Sequence, residues 1–226
     1  MSQILYKSKN AVVVYKPHGL SSQPDPSSTE DVISLTSEIL SGLGERGELY
    51  PVHRLDKQVG GVLLLARSRA AAAELSSGLS DDGFSKEYLA VLEGVPPEGA
   101  LCCYLFKDAR QSKAVLCSED KPGAKYAELS VTPLATKAVG RATLTLAKIV
   151  LATGRFHQIR AQLSSAGAPI FGDKKYGGKQ LMRGGIGLHA YKLSFTLGGE
   201  QISVSALPDT ASVPWSHFGD KINELR

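Results

Sequence analysis

The chain has 226 residues, 42% of them hydrophobic and 21% charged, which is ample for a real core in one large domain or two small ones. A net charge of +4 and only three cysteines exclude an acidic disordered chain, a strongly cationic tail and a disulfide framework. No stretch reaches the roughly 18 apolar residues of a membrane helix, and the start, MSQILYKSKN, lacks a charged region followed by an apolar one. A cytoplasmic chain with reduced thiols and no membrane contact is the expectation.

In chain order, residues 10–17 (NAVVVYKP) predict a buried strand ended by Pro17, followed by a loop rich in Gly, Ser and Pro over 17–28. Ser28 with Asp31 resembles a capping box, opening a helix with the stripe Val32, Leu35, Ile39, Leu43. Residues 62–66, entered through Gly60-Gly61, predict a second buried strand, and 69–79 a helix with Leu75 and Leu79 on one face. Extended structure is then expected at 86–94, 101–106, 113–117, 125–131 and 141–150. A helix at 156–167 places Phe156, Ile159 and Leu163 on one side, with Arg160 at its edge. A hairpin over 188–197 and 200–206 turns at Gly198-Gly199. This order predicts an α+β fold with a mixed, largely antiparallel sheet and flanking helices. No linker divides the chain, so residues 1–226 are expected to form a single domain, with two subdomains flanking a cleft.

The small net charge hides an asymmetry. Residues 27–48 carry five acids against Arg46, whereas residues 129–192 carry ten bases against the single acid Asp173, a net +9. Charge alone fits a solvated basic face as well as a surface for phosphates.

Five segments carry reactive groups in order: His53-Arg54-Leu55-Asp56, Lys86-Glu87-Tyr88-Leu89-Ala90-Val91, Thr153-Gly154-Arg155-Phe156-His157-Gln158-Ile159-Arg160, Gly172-Asp173 with Tyr176, and Leu188-His189-Ala190. In isolation each has a plain structural reading. Asp56 suits a turn, Tyr88 a half-buried strand aromatic, and Arg155 and Arg160 a helix surface. His53 and His157 read as hydrogen-bonding imidazoles rather than metal ligands, and Gly172-Asp173 with Tyr176 as the shape of a turn.

Taken together, the five segments closely resemble the RluA-type family of RNA pseudouridine synthases, from Val13-Val14-Tyr15-Lys16-Pro17 to about Leu207. The resemblance implies the pseudouridine synthase fold, a central RNA-binding cleft and no separate N-terminal RNA-binding domain. It also implies isomerisation of a specific uridine in ribosomal or transfer RNA by a monomer that requires neither cofactor nor metal. Asp56 takes the role of the catalytic carboxylate. Arg160 becomes the fixed cation beside it, and Tyr88 the tyrosine that stacks on the uracil, its neighbours Leu89 and Val91 pointing to the other strand face. Arg54 is implied to fill the gap left by the flipped base. Arg155, His157 and Leu188 are implied to bind the RNA, and the basic charge of Lys174 and Lys175 adds them to the expected RNA surface. Val59-Gly60-Gly61 departs from the Thr-Ser-Gly of many relatives, so loop geometry near Asp56 is expected to differ. A non-catalytic RNA-binding module that retains the fold is the alternative. A glycoside hydrolase fails for want of a second catalytic carboxylate.

Overall fold

The computed structural model describes residues 3–25, 30–78 and 83–226. It divides into two compact units, one of residues 1–86 with 189–208, the other of residues 87–188 with 209–226.

The first unit is built on strands β1 (Gln3–Lys7), β2 (Ala11–Lys16), β3 (Tyr50–Pro51), β4 (Gly60–Ala66), β10 (Leu188–Leu197) and β11 (Glu200–Ser205). Among the described residues these strands pair antiparallel, except for a two-residue parallel contact of β4 with β10 at His189↔Gly60 and Ala190↔Gly61. β2 and β4 are apolar without alternation, as strands covered on both faces must be, and Ala11–Val14 and Leu63–Ala66 have no exposed surface. Alternate residues Ala11, Val13, Val62, Leu64 and Ala66 enter one core with Leu75, Phe84, Leu193 and Phe195. The β10–β11 hairpin closes with Leu197 opposite Glu200, and Gly198 and Gly199 both have positive φ, as the tight turn requires.

Helix α1 (Val32–Gly42) starts at Val32, the first residue of its expected stripe. Asp31 is the N-cap, accepting from the Ser34 N–H at 3.0 Å, while Ser28 lies outside the described residues. The buried face is therefore Val32, Thr36 and Leu40, and Leu43 is 60% exposed. Helix α2 (Arg69–Ser77) is capped by Ser68 and buries Ala71 and Leu75. The expected partner Leu79 lies outside the described residues.

The second unit holds β5 (Ser85–Glu93), β6 (Gly99–Asp108), β7 (Lys113–Cys117), β8 (Lys125–Val139) and β9 (Ala142–Leu151), in the order β5-β9-β8-β6-β7. The β8–β9, β6–β8 and β6–β7 pairings are all antiparallel. β8 runs eight residues past its expected end at 131, because a bulge between Pro133 and Ala135 absorbs the proline without ending the ladder. Helix α3 (Gln158–Ser165) follows β9, and a short α4 (Gly219–Asn223) closes the chain behind the buried Trp215 and Phe218. Among the described residues no helix is long and apolar enough to cross a membrane.

Candidate active site

In the first unit the HRLD segment is a loop between β3 and β4, and residues 16–22 latch it on both sides of Asp56. Before Asp56, Ser22 Oγ donates to the Leu55 carbonyl at 2.8 Å and accepts from the Leu55 N–H at 3.0 Å. After it, the Gly19 N–H donates to the Lys57 carbonyl at 2.8 Å, and His18 Nδ1 meets the Gln58 carbonyl at 2.9 Å. The Val59 N–H closes the turn onto the Asp56 carbonyl. Every latch bond to residues 55, 57 and 58 lands on backbone, so none depends on the Asp56 carboxylate. Arg54 is exposed and Asp56 half-buried.

Lys16 is the buried cation beside this loop. It has no exposed surface, and its ammonium donates to the carbonyls of Leu20 (2.7 Å), Pro17 (3.1 Å) and Lys57 (3.3 Å). Burial pushes Lys16 down to about 7, while the negative charge of Asp56 pulls it back up. In the sequence Lys16 reads only as the end of a strand. The signal that marked it was a lysine inside the apolar run 11–16, where a charge needs a partner.

Gly60 and Gly61 show what the departure Val59-Gly60-Gly61 means. A Cβ on Gly60 would lie 3.0 Å from the His18 ring and 3.2 Å from the Lys16 carbonyl. His18 thus fills the space into which a serine side chain at position 60 would begin to grow.

His53 and His189 flank the same strand. The Leu64 N–H donates to His53 Nε2 at 3.2 Å, and His189 Nε2 donates to the Ala206 carbonyl at 2.9 Å. Burial pushes both imidazoles down to about 3, with Lys86 lowering His53 a little further. His53 is therefore a hydrogen-bonding imidazole, as its sequence context suggested. The consequence for stability has a definite sign. The unfolded chain takes protons on these histidines near pH 6.5 and the folded chain does not, so stability present above 6.5 is lost as pH falls toward 3. Lys16, lowered from 10.5 to about 7, acts in the same direction between those values. A urea-unfolding midpoint measured at pH 7, 6 and 5 is expected to fall at each step. A midpoint level across that range would contradict imidazoles that stay neutral in the folded chain.

In the second unit the TGRFHQIR segment forms the entrance to α3. His157 has left-handed φ of 50°, an unusual conformation for a residue with a side chain, and α3 begins at Gln158 rather than at Phe156. Gln158 holds this corner, its Oε1 accepting from the Arg155 N–H and Thr153 Oγ1, both at 2.9 Å. Arg160 is buried rather than edge-exposed, and its guanidinium grips Asp173 through Nε to Oδ2 (2.6 Å) and Nη2 to Oδ1 (2.8 Å). Because Arg160 can only donate, its Nη1 contact at 3.1 Å makes His157 Nε2 an acceptor. His157 Nδ1–H then donates to the Tyr176 hydroxyl at 3.0 Å, which also accepts from the Ala114 N–H at 2.7 Å. Asp173 and Tyr176 thus do more than shape a turn: they fix the guanidinium and imidazole of the motif.

Around that network stand cations from outside the motif, Lys107 over the Phe156 ring at 4.8 Å and Lys113 over the Tyr176 ring at 5.7 Å. Lys174 and Lys175 are exposed, Lys175 Nζ donating to the Ser112 carbonyl at 3.0 Å. Arg155 is exposed, its Nε donating to the Tyr126 carbonyl at 2.8 Å. Leu188 is buried. Tyr88 is 7% exposed, and Leu89 and Val91 on the opposite face of β5 are fully buried, so both faces of this strand are covered. Asp56 belongs to the first unit, Tyr88 and Arg160 to the second. Among the described residues no group of three or more His, Cys, Asp or Glu side chains is arranged to hold a metal ion.

A family model described as RNA pseudouridylate synthase matches residues 10–165, a span that contains the latch, β5 and α3. The chain belongs to this family. It is 30% identical over 209 residues to a protein of Haemophilus influenzae named uncharacterized RNA pseudouridine synthase, covering 91% of this chain and 87% of that one. It is 30% identical over 193 residues to a Bacillus subtilis protein named uncharacterized RNA pseudouridine synthase YhcT (84% and 62% covered). It is also 30% identical over 187 residues to ribosomal large subunit pseudouridine synthase C of Buchnera aphidicola (80% and 56% covered). The chain spans about three fifths of the length of these last two relatives. Human RNA pseudouridylate synthase domain containing 4 has the same fold, with a TM-score of 0.74 at 24% identity over 97% of this chain and 92% of that one. The α+β architecture expected from the sequence is therefore that of the RNA pseudouridylate synthases.

Proposed function

We propose that the chain isomerises a specific uridine of ribosomal or transfer RNA to pseudouridine, with Asp56 as the catalytic carboxylate. The reaction breaks the C1′–N1 bond, turns the uracil and joins C1′ to C5, which releases the C5 proton. Nothing is oxidised and no water is consumed. The observation that carries the reading is the latch, which clamps the backbone on both sides of Asp56 and so fixes where the carboxylate starts. Lys16 lies within electrostatic reach of Asp56, whose negative charge raises the ammonium against the effect of burial.

The other roles follow the family pattern. Tyr88 stacks on the uracil, and Arg160, oriented by Asp173, is the cation of the second unit. Arg54 occupies the place of the base flipped from the stack. Arg155, Lys174 and Lys175 contact the phosphates and sugars that position the RNA, His157 supports that surface through Arg160 and Tyr176, and Leu188 lies against the flipped base. The test is tritium release from RNA carrying C5-labelled uridine. Release with stoichiometric pseudouridine formation supports the reading, and RNA binding without release favours a non-catalytic module.

A further inference from the structure

Residues 177–187, between the 3-10 turn Lys174–Tyr176 and β10, form a loop that the roles above do not use. Its base is held firmly. The Glu93 carboxylate accepts from two successive backbone N–H groups, Lys179 at 2.8 Å and Gln180 at 3.0 Å. A Cβ on Gly178 would lie 2.6 Å from the Ile170 carbonyl, and one on Gly172 would lie 2.7 Å from Met182 Cβ, so the loop packs closely on residues 170–173. Its far end is anchored by Ile186, which is fully buried. Between these anchors Leu181 is 72% exposed, the largest exposure among the large hydrophobic residues described. Lys179 and Arg183 flank it and are exposed, and neither side chain has an ion pair among the described residues. Residues 177–187 contain no acid.

A leucine held out in water between two cations is a poor protein-docking surface. A stable interface buries on the order of 800 Å² per partner, far more than one side chain. It suits a nucleic acid whose bases are unstacked. Cations two residues to either side meet the phosphates, and the apolar side chain covers a base face that would otherwise face water. The Glu93 clamp fixes the loop before binding, which lowers the ordering cost of the contact.

We propose that residues 177–187 are a single-strand RNA-binding element, in which Leu181 packs on the face of an unstacked base while Lys179 and Arg183 engage the flanking phosphates. This rests on the RNA-modifying reading above and adds a contact outside its catalytic residues.

The test uses the full chain and fluorescence anisotropy with two probes, a labelled 12-nucleotide oligouridylate and a 20-base-pair RNA duplex, over a range of salt. Leu181→Ala is expected to weaken oligouridylate binding about 3- to 10-fold, a leucine contact standing at or below the lower end of the range for aromatic stacking, with its salt slope and duplex binding unchanged. Lys179→Ala with Arg183→Ala is expected to flatten the slope of log K against log salt by about 1.4, at roughly 0.7 per single-strand phosphate contact. Unchanged oligouridylate binding by Leu181→Ala overturns the proposal, and so does an equal loss on the duplex. Failure of the wild-type chain to bind either RNA overturns the RNA-modifying reading itself, so the two failures are distinct.

Discussion

Asp56→Asn is expected to lower tritium release from C5-labelled uridine RNA on the order of a thousandfold or more, the scale of removing a nucleophilic or electrostatic carboxylate from an active site. Asparagine keeps the size of the side chain and removes its charge. The latch around it engages the backbone of residues 55, 57 and 58, so the loop stays closed in the variant. Lys16 loses the carboxylate that raises it and shifts further toward the neutral amine, which a buried site tolerates better than an unpaired ammonium. RNA affinity and the unfolding midpoint at neutral pH are therefore expected to remain near those of the wild type while turnover collapses. Turnover within a few-fold of wild type would remove Asp56 from the chemistry.

The largest effect on folding is expected at Gly61. Its φ is +120°, and a Cβ there would stand 2.2 Å from the Ala190 carbonyl oxygen and 2.7 Å from the Ala190 nitrogen. Those atoms are backbone, and Ala190 is paired with Gly61 in the parallel contact of β4 with β10. Nothing flexible can yield, so Gly61→Ala must open the ladder or distort it. A loss of about 3 kcal/mol in unfolding free energy is expected, the upper end of what a strained backbone position carries. Gly198→Ala is the matched control. Its φ is +59° and a Cβ there meets nothing within 4 Å, so only the conformational strain of about 1 kcal/mol remains. Equal losses from the two substitutions in denaturant unfolding would show that the close approach of Ala190 is relieved by rearrangement.

The sequence made legible whatever depends on local pattern. Apolar runs without alternation located β2 and β4, and Gly198-Gly199 between two extended segments located the turn of the final hairpin to the residue. β1 escaped because QILYK is too short to carry a period, and the second half of β8 because Pro133 reads as an ending until a bulge accommodates it. The stripe in α1 slipped because the helix is registered by its Asp31 cap, which brings Thr36 and Leu40 inward in place of Leu35 and Ile39. At the candidate site the motifs named Asp56 and Arg160, but their partners lie far along the chain or belong to segments read as plain loop. Ser22 is 33 residues from Leu55, and Lys16 is 41 from Lys57. Asp173 is 13 residues from Arg160, across a turn that also uses its backbone. Such pairs follow no helical or strand period, and only the tertiary structure brings them together. The same holds for charge. The +9 of residues 129–192 counts Arg160 as part of a basic surface, whereas it is buried and neutralised by the one acid of that segment.

The central claim is that this chain makes pseudouridine with Asp56. The most direct measurement maps pseudouridine across the ribosomal and transfer RNA of a strain lacking the gene, complemented in parallel with the wild-type chain and with Asp56→Asn. The account predicts a site that is uridine in the deletion strain, becomes pseudouridine with the wild-type chain, and stays uridine with Asp56→Asn. Restoration of the modified site by Asp56→Asn, or a modification pattern unchanged by the deletion, would contradict it.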